Sequence, residues 1–428
     1  VTFEHVAVLR VFAWGRPVGA LAPDGRAIVF EYEPSWRRTG VELAPVTMPL
    51  RQRVSTFVFP ALNPETFHGL PPMLADSVPD RFGNGIIDNV LAREGVLPGE
   101  VTALDRLAYV GRRGMGALTF EPDTARHDSP TSIELNHLVE AARAALRGDL
   151  SADAVATDSL NELIQVGTSA GGARAKAVIA YNPSTGEMRA GGVDAPSGFE
   201  QWLLKFDGVG PHHQLGAAQH YGRTEYAYYL MATDAGITMS PSQLLEEGGR
   251  AHFMTRRFDR PGASGAKLHL QSLCAISALD FNAVATHDYA SLFTAAEKLA
   301  IDAREEVFRR MVFNVLASNN DDHTKNHAFL MAEDGTWKLS PAYDVTFAYN
   351  PQSEWTQQHL MSVNGRFSGI TAADLHAVGE QFRVPGYRAI IRDVEDAITR
   401  WPVHARDAGV PGVRIDEVAT RLAAVALN

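Results

Sequence analysis

The densest run of chemically capable side chains lies between Asn314 and Asp344 and reads Ser318-Asn319-Asn320-Asp321-Asp322-His323-Thr324-Lys325-Asn326-His327. An Asp is followed five residues later by an Asn. Apolar residues 328–331, a turn at Asp334-Gly335 and the segment Ser340-Pro341-Ala342-Tyr343-Asp344 come next. This is the order of parts that phosphoryl transfer from a nucleotide uses. One Asp handles the acceptor hydroxyl, the Asn holds magnesium, and a later Asp holds the metal that bridges the phosphates. The intervals therefore assign Asp321 to the hydroxyl, and Asn326 and Asp344, as hard oxygen ligands, to Mg2+. Lys325 is placed to neutralise the transferred group. A solvated structural loop accounts for the polarity but not for the spacing.

Two readings compete. His323 and His327 stand at i, i+4 beside Asp321 and Asp322, which allows a metal-dependent hydrolase if those four side chains converge on zinc or manganese. That reading leaves several other polar residues without a role. A non-catalytic protein that keeps the fold and acts by binding a partner is the other alternative.

A nucleotide site needs further parts. The glycine-rich stretch 166–176, with Gly167, Gly171 and Gly172, ends at Lys176 and runs into a strand-like segment, 177–181. A P-loop requires Gly-Lys-Ser/Thr and a helix directly after, so a flexible loop over the phosphates fits better. An ordinary surface turn competes with that assignment. Lys205 sits in the apolar Trp202-Leu203-Leu204-Lys205-Phe206, where a charge is costly unless it is paired or faces a cleft. Glu225, at the start of the next helical segment, is the candidate partner. The competing reading places Lys205 at the end of an edge strand and makes Glu225 a helix-start residue favoured by the dipole.

The elements that must position these residues are legible in outline. Segments 6–12, 18–21 and 26–32 are short strands punctuated by Trp14-Gly15-Arg16-Pro17 and Asp24-Gly25, and 84–94 has helical spacing of Ile86, Ile87, Val90 and Leu91. A polar stretch, 121–130, reads as a linker. Segment 135–146 reads as a helix, 159–165 as a short element, and 201–206 and 252–257 as strands. Segment 225–235 reads as a helix with Tyr226, Leu230 and Met231 inward and Gly236 as its stop. Helical periodicity dominates afterwards, at 304–317, 372–381, 387–400 and 415–426. The class is α+β.

Length and composition agree with a globular protein of two or three domains: 428 residues, 45% hydrophobic and 21% charged. A net charge of -11 argues against a general grip on nucleic acid. The lone Cys274, in an apolar setting, reads as a buried small residue, and one cysteine builds neither a disulfide nor a cysteine zinc site. Glu4, His5 and Arg10 interrupt the N-terminal segment, so no signal peptide is expected, and no run approaches membrane-spanning length. A cytoplasmic location is the expectation.

Taken together, residues 167–176, Lys205, Glu225, Arg257-Phe258-Asp259-Arg260, residues 321–326 and Tyr343-Asp344 resemble the HipA family, the kinase toxins of bacterial HipBA toxin-antitoxin systems. Val18-Gly19-Ala20-Leu21, Phe30-Glu31-Tyr32, Asp80-Arg81-Phe82-Gly83-Asn84 and Gly114-Met115-Gly116-Ala117-Leu118 look like that family's amino-terminal subdomain. The resemblance covers nearly the whole chain. It implies a protein-kinase-like two-lobed fold with an extra N-terminal α/β subdomain (1–125), a kinase N-lobe with the glycine-rich loop (126–255) and a helical C-lobe with the catalytic loop (256–428). It implies a serine/threonine kinase using ATP and Mg2+, with Asp321 catalytic, Asn326 and Asp344 as metal ligands, Lys205 on the ATP phosphates, His323 near the nucleotide, and a hinge near Arg256 to Phe258. Ser169 matches the family's self-phosphorylated serine, whose modification is associated with loop ejection and loss of activity. The family's loop usually reads Ala-Gly-Ala-Gln-Glu-Lys after that serine. Here Gly171-Gly172-Ala173-Arg174-Ala175-Lys176 lacks the Gln-Glu pair, which bears on the loop's detailed contacts. Family members commonly act on aminoacyl-tRNA synthetases and are neutralised by a DNA-binding antitoxin of the HipB type. This chain shows no basic helix-turn-helix of its own, so contact with DNA would run through such a partner.

Overall fold

The computed structural model describes residues 3–25, 27–51, 54–125, 139, 142, 175–191, 195–208, 220–262 and 266–426. They form two compact units. One comprises Val1–Gln219, Leu245–Gln271 and Leu330–Thr336; the other comprises His220–Leu244, Ser272–Phe329 and Trp337–Asn428. The glycine-rich residues Gly171 and Gly172, Ser169, most of the helix expected at 135–146 and the whole short element expected at 159–165 lie outside the described residues.

The first unit begins with an antiparallel sheet. Strands β1 (Leu9–Ala13), β2 (Arg16–Asp24), β3 (Ala27–Tyr32), β4 (Thr56–Phe57) and β5 (Leu118–Glu121) lie in the order β4-β3-β2-β1-β5. Ala13 pairs with Arg16, so Trp14-Gly15 is a two-residue hairpin loop, and both residues have positive φ. That is the turn whose twist matches the flanking strands. Val11, Ala13, Val18, Leu21 and Phe30 are buried in this sheet. Gly19 is required for space: a Cβ there would meet the Glu31 carbonyl and the Phe30 ring.

The helix expected at 84–94 runs from Arg81 to Arg93, because Asp80 caps it by accepting a hydrogen bond from the Gly83 N–H at 2.7 Å. Its Phe82, Ile86, Ile87 and Leu91 belong to a core shared with Ile179, Trp202, Leu204 and Met254. Each such side chain stabilises the unit by roughly 1.5–3 kcal/mol. The partners lie on a second sheet made of β6 (Lys176–Tyr181), β7 (Met188–Ala190), β8 (Glu200–Lys205), β9 (Ser242–Glu247) and β10 (Arg250–Arg256), in the order β7-β6-β8-β10-β9. β8 is central, not an edge strand.

Where β10 ends, Asp259 is buried between two arginines. Arg257 donates to its Oδ1 at 3.0 Å and its Oδ2 at 2.8 Å, Arg260 donates to Oδ2 at 2.6 Å, and the Gly116 N–H donates to Oδ2 at 2.7 Å. Burial alone would raise the Asp259 pKa, but the two guanidiniums and these hydrogen bonds outweigh it and hold the carboxyl well below the usual range. The arginines also bond the Gly114 and Gly116 carbonyls, so this cluster fixes the 114–116 turn.

The second unit is mainly helical, through Tyr221–Asp234, Tyr289–Lys298, Arg304–Leu316, Ala372–Gln381, Tyr387–Thr399, Trp401–Asp407 and Gly412–Val425. The 304–316 helix is its spine, with Val307, Phe308, Met311, Val312, Phe313, Val315 and Leu316 all buried. The 221–234 helix begins four residues earlier than its apolar pattern suggested and buries Ala227, Tyr228, Met231 and Ala232. Tyr226 and Leu230, expected inward, are half-buried. Tyr228 takes the inward place: its hydroxyl donates to the Ala317 carbonyl at 2.6 Å, and its ring meets Trp401 edge-on at 5.4 Å. Gly236 follows the helix at φ +82°, as its place past the helix end requires. No helix among the described residues is long and apolar enough to cross a membrane.

Candidate active site

The 304–316 helix delivers the chain to the site. Ala317 caps it, Ser318 takes a left-handed φ of +51°, and an irregular loop follows through Asp321 to a 3-10 turn at Thr324–Asn326. The loop is held from beneath. Asn319 donates to the Asn314 side chain at 2.9 Å, Asn314 donates to the Tyr289 hydroxyl at 2.9 Å, and that hydroxyl donates to Asp322 Oδ2 at 2.7 Å. The Leu360 N–H donates to Asp322 Oδ1 at 2.8 Å, and His359 Nδ1 lies 3.0 Å from Oδ2. Asp322 is thus a buried structural hub. Burial first, and the neighbouring Asp322 charge second, push the Tyr289 hydroxyl pKa well above its ordinary value.

His327 also turns inward. It is buried, and its pKa is lowered to about 4 by burial first and by Arg310 next. The four residues required for a hydrolase metal centre therefore do not converge, since Asp322 and His327 serve the interior. Among the described residues no group of three or more His, Cys, Asp and Glu side chains is arranged to hold a metal.

Asp321 faces the other way. Its side chain keeps 40% exposure, yet it is hemmed in closely enough that burial is the main cause of a raised carboxyl pKa. His323 and the Trp355 hydrogen bond lower it, while Asp344 and Asp322 raise it further. The influence of Asp344 shows that the two carboxylates share one neighbourhood. Asp344 itself sits at a left-handed φ of +54°, which Asp tolerates better than most residues. It is tied to the loop through its neighbour: the Tyr343 hydroxyl donates to the Lys325 carbonyl at 2.5 Å.

Asn326 is oriented by the loop it belongs to. Its Nδ2 donates to the Asp321 carbonyl at 2.7 Å, which leaves the side-chain oxygen, the metal-binding atom of an amide, directed by that bond. An oriented amide oxygen and a carboxylate close to a second carboxylate suit a hard cation, which would relieve the repulsion between them. Lys325 lays its ammonium 4.7 Å over the Phe281 ring, Phe281 meets His323 at 5.3 Å, and His323 meets Trp355 at 5.9 Å. His323 Nε2 is 3.8 Å from Asp321 Oδ1. Asp321, His323, Lys325, Asn326 and Asp344 are therefore brought together within one unit.

The remaining candidates are placed separately. Lys205 ends the central strand β8, buried, facing Lys176 of β6 and Phe253 of β10 in register, with its ammonium 5.9 Å from the Phe253 ring. Lys176 lies 3.3 Å from the Asp80 carboxylate. Two buried lysines in register on adjacent strands repel one another, so both need nearby negative charge. Glu225 is the fifth residue of the 221–234 helix and is buried, so neither the edge-strand reading of Lys205 nor the helix-start reading of Glu225 holds. Arg256 is largely exposed and pairs with Glu200 at 3.1 Å, and Phe258 is half-buried. Sequence reasoning missed Trp355, Tyr289 and Phe281. Trp355 lies 34 positions beyond Asp321, and its only signal was a large aromatic residue within the polar run Gln352-Ser353-Glu354.

Comparison with known proteins bears on this arrangement. The family model described as HipA-like C-terminal domain matches residues 168–401, more than half of the chain. This chain belongs to the HipA family. The model described as HipA N-terminal domain matches residues 9–121 as well, so both parts of a HipA chain are present. Among solved structures, HipA from Shewanella oneidensis MR-1, in a toxin-antitoxin complex with HipB and operator DNA, has a TM-score of 0.65 at 17% identity. That match covers 97% of this chain and 96% of the Shewanella chain. The HipA fold and its mixed helix and strand content are thereby shared. The proinflammatory kinase CtkA of Helicobacter pylori matches 60% of this chain and 94% of its own length at 12% identity, with a TM-score of 0.36, too slight a likeness to speak to the fold. A comparison with curated protein sequences returns no match.

Proposed function

We propose that this HipA-family chain is a serine/threonine protein kinase that transfers the γ-phosphoryl group of ATP to a protein hydroxyl. The observation that carries this reading is the grouping of Asp321, Asn326 and Asp344, with the Asn326 amide oriented by the Asp321 carbonyl. Magnesium, when bound, supplies charge neutralisation at the phosphates. Asn326 and Asp344 are the residues that would hold it. Asp321 orients the acceptor hydroxyl and takes its proton, and the Lys325 ammonium faces the charge of the transferred group. By resemblance Lys205 is the ATP-phosphate lysine, Glu225 a further cofactor-binding residue, Arg256 to Phe258 the hinge, and Gly171 and Gly172 part of the loop over the nucleotide. The segments 1–125, 126–255 and 256–428 are the corresponding subdomain and lobes.

Incubation with radiolabelled ATP and Mg2+ tests the activity. Wild type labels itself or a cell extract, and Asp321→Ala reduces labelling by about 10²–10⁴-fold, the usual contribution of a positioned base. Equal labelling by the two proteins would overturn the assignment. Regulation by phosphorylation at Ser169 predicts a single phosphate that peptide mapping places there. The solved complex of the Shewanella relative supports a HipB-type antitoxin as partner, through which DNA would be reached. Co-purification of this chain with such a partner on operator DNA tests that. An aminoacyl-tRNA synthetase is the substrate class that the family resemblance suggests, and phosphoproteomics of cells expressing wild type or Asp321→Ala tests it. A cytoplasmic location completes the reading.

A further inference from the structure

We infer that Trp355 is a positioning residue for Asp321: its indole N–H fixes one carboxylate oxygen so that the other is presented to the acceptor hydroxyl. This rests on the kinase reading above. The Trp355 Nε1 donates to Asp321 Oδ1 at 2.6 Å, a short bond between a ring donor and a carboxylate. Among the described residues Oδ2 receives no hydrogen bond, so the two oxygens of Asp321 are made unequal by this one contact.

The donor is held in place by bonds that do not involve Asp321. The Trp355 N–H donates to Ser353 Oγ at 3.2 Å, the Gln357 N–H to the Ser353 carbonyl at 2.9 Å, and the Ser353 N–H to the Asn350 carbonyl at 3.1 Å. The buried Asn320, next to Asp321 in the chain, donates to the Thr356 carbonyl at 3.0 Å. The same segment is pinned upstream, where Arg421 lies 3.6 Å over the Tyr349 ring and Arg414 lies 4.9 Å over Phe347. The Trp355 ring stacks edge-on against His323, which in turn packs on Phe281 beneath Lys325. The indole is thus part of a wall that orients the Asp321 carboxylate and the Lys325 cation together. A group set in place before substrate arrives need not be ordered during the reaction, which is how positioning lowers a barrier.

The test compares wild type with Trp355→Phe, which keeps an aromatic ring and deletes the N–H, and Trp355→His, which restores a ring N–H. Trp355→Phe is expected to lower kcat for phosphoryl transfer about tenfold with KM for ATP unchanged, and Trp355→His to recover part of the loss. An unchanged kcat overturns the inference. So does a raised one, which would make the contact a block on the base. A second measurement does not depend on activity. The Trp355 indole ¹H–¹⁵N resonance, identified by its loss in Trp355→Phe, is expected to move in Asp321→Asn, and a resonance that stays in place overturns the contact. If wild type transfers no more phosphate than Asp321→Ala, the kinase reading fails, whatever the indole resonance shows about the contact itself.

Discussion

Replacing Asp259 by Asn removes one charge and almost no volume from a site that water does not reach. The Asp259 and Arg257 side chains are fully buried and Arg260 retains only 6% exposure, so the variant leaves two guanidiniums without their counter-charge. Removing one partner of a buried ion pair costs about 3–5 kcal/mol, because the remaining charge is stranded in a poorly solvating interior. At about 2–4 °C per kcal/mol for a unit of this size, the first unit's melting midpoint should fall on the order of 10 °C. Differential scanning calorimetry at pH 7 measures it. The pH dependence has a definite sign. The folded pKa of Asp259 is depressed, so its contribution is complete above the unfolded carboxylate value near 3.9 and is lost as pH falls through the lower folded value. The gap between wild type and Asp259→Asn is therefore constant from about pH 5 upward and narrows in acid. Adding Arg260→Met to the variant should cost less than the sum of the two single changes, since it removes one stranded charge. A variant melting within about 2 °C of wild type would refute the reasoning, because it would mean that the arginines never depended on this carboxylate.

Three further outcomes are expected. His269 and His327 are each buried with the pKa lowered to about 4 by burial first, so each is held neutral; their contribution is complete above about pH 6.5 and is lost as pH falls toward 4, roughly 3 kcal/mol apiece, read as a falling melting temperature over that window. Gly19→Ala forces a methyl against the Glu31 carbonyl and the Phe30 ring and should destabilise the first sheet by about 1–3 kcal/mol in a denaturant titration. Asp322→Asn keeps one acceptor oxygen where Asp322 offers two, so either the Tyr289 hydroxyl or the Leu360 N–H loses its acceptor along with the charge, and stability should fall by about 1.5–3 kcal/mol while the exposed face of the loop stays chemically intact.

Local structure was legible in the sequence, and long-range partnership was not. A turn within Trp14-Gly15-Arg16-Pro17, the α+β content and the closeness of Asn326 to Asp321 follow from short intervals and turn residues, although the turn proper is only Trp14-Gly15, with Arg16 and Pro17 already in the second strand. The start of the 81–93 helix was not read, because it depends on Asp80 acting as a cap in a stretch whose apolar period begins only later. The stretch from Asp321 to His327 allowed two metal readings, since adjacent residues on an irregular loop carry no rule about which way they point. Only Tyr289, His359 and Leu360, all distant in sequence, decide that Asp322 turns inward. Trp355 was invisible for the same reason: nothing in its own neighbourhood refers to Asp321.

The opposed directions of Asp321 and Asp322 divide the variants of this loop into two kinds that a growth or labelling screen can tell apart by temperature alone. On the proposed kinase reading, a change at Asp321 deletes a reacting group from a chain that still folds, so its defect should be the same in the cold and in the heat. A change at Asp322 loosens the scaffold under an intact reacting group, so its defect should appear on warming and recover on cooling. Neighbours one bond apart along the backbone would then yield a permanent lesion and a conditional one.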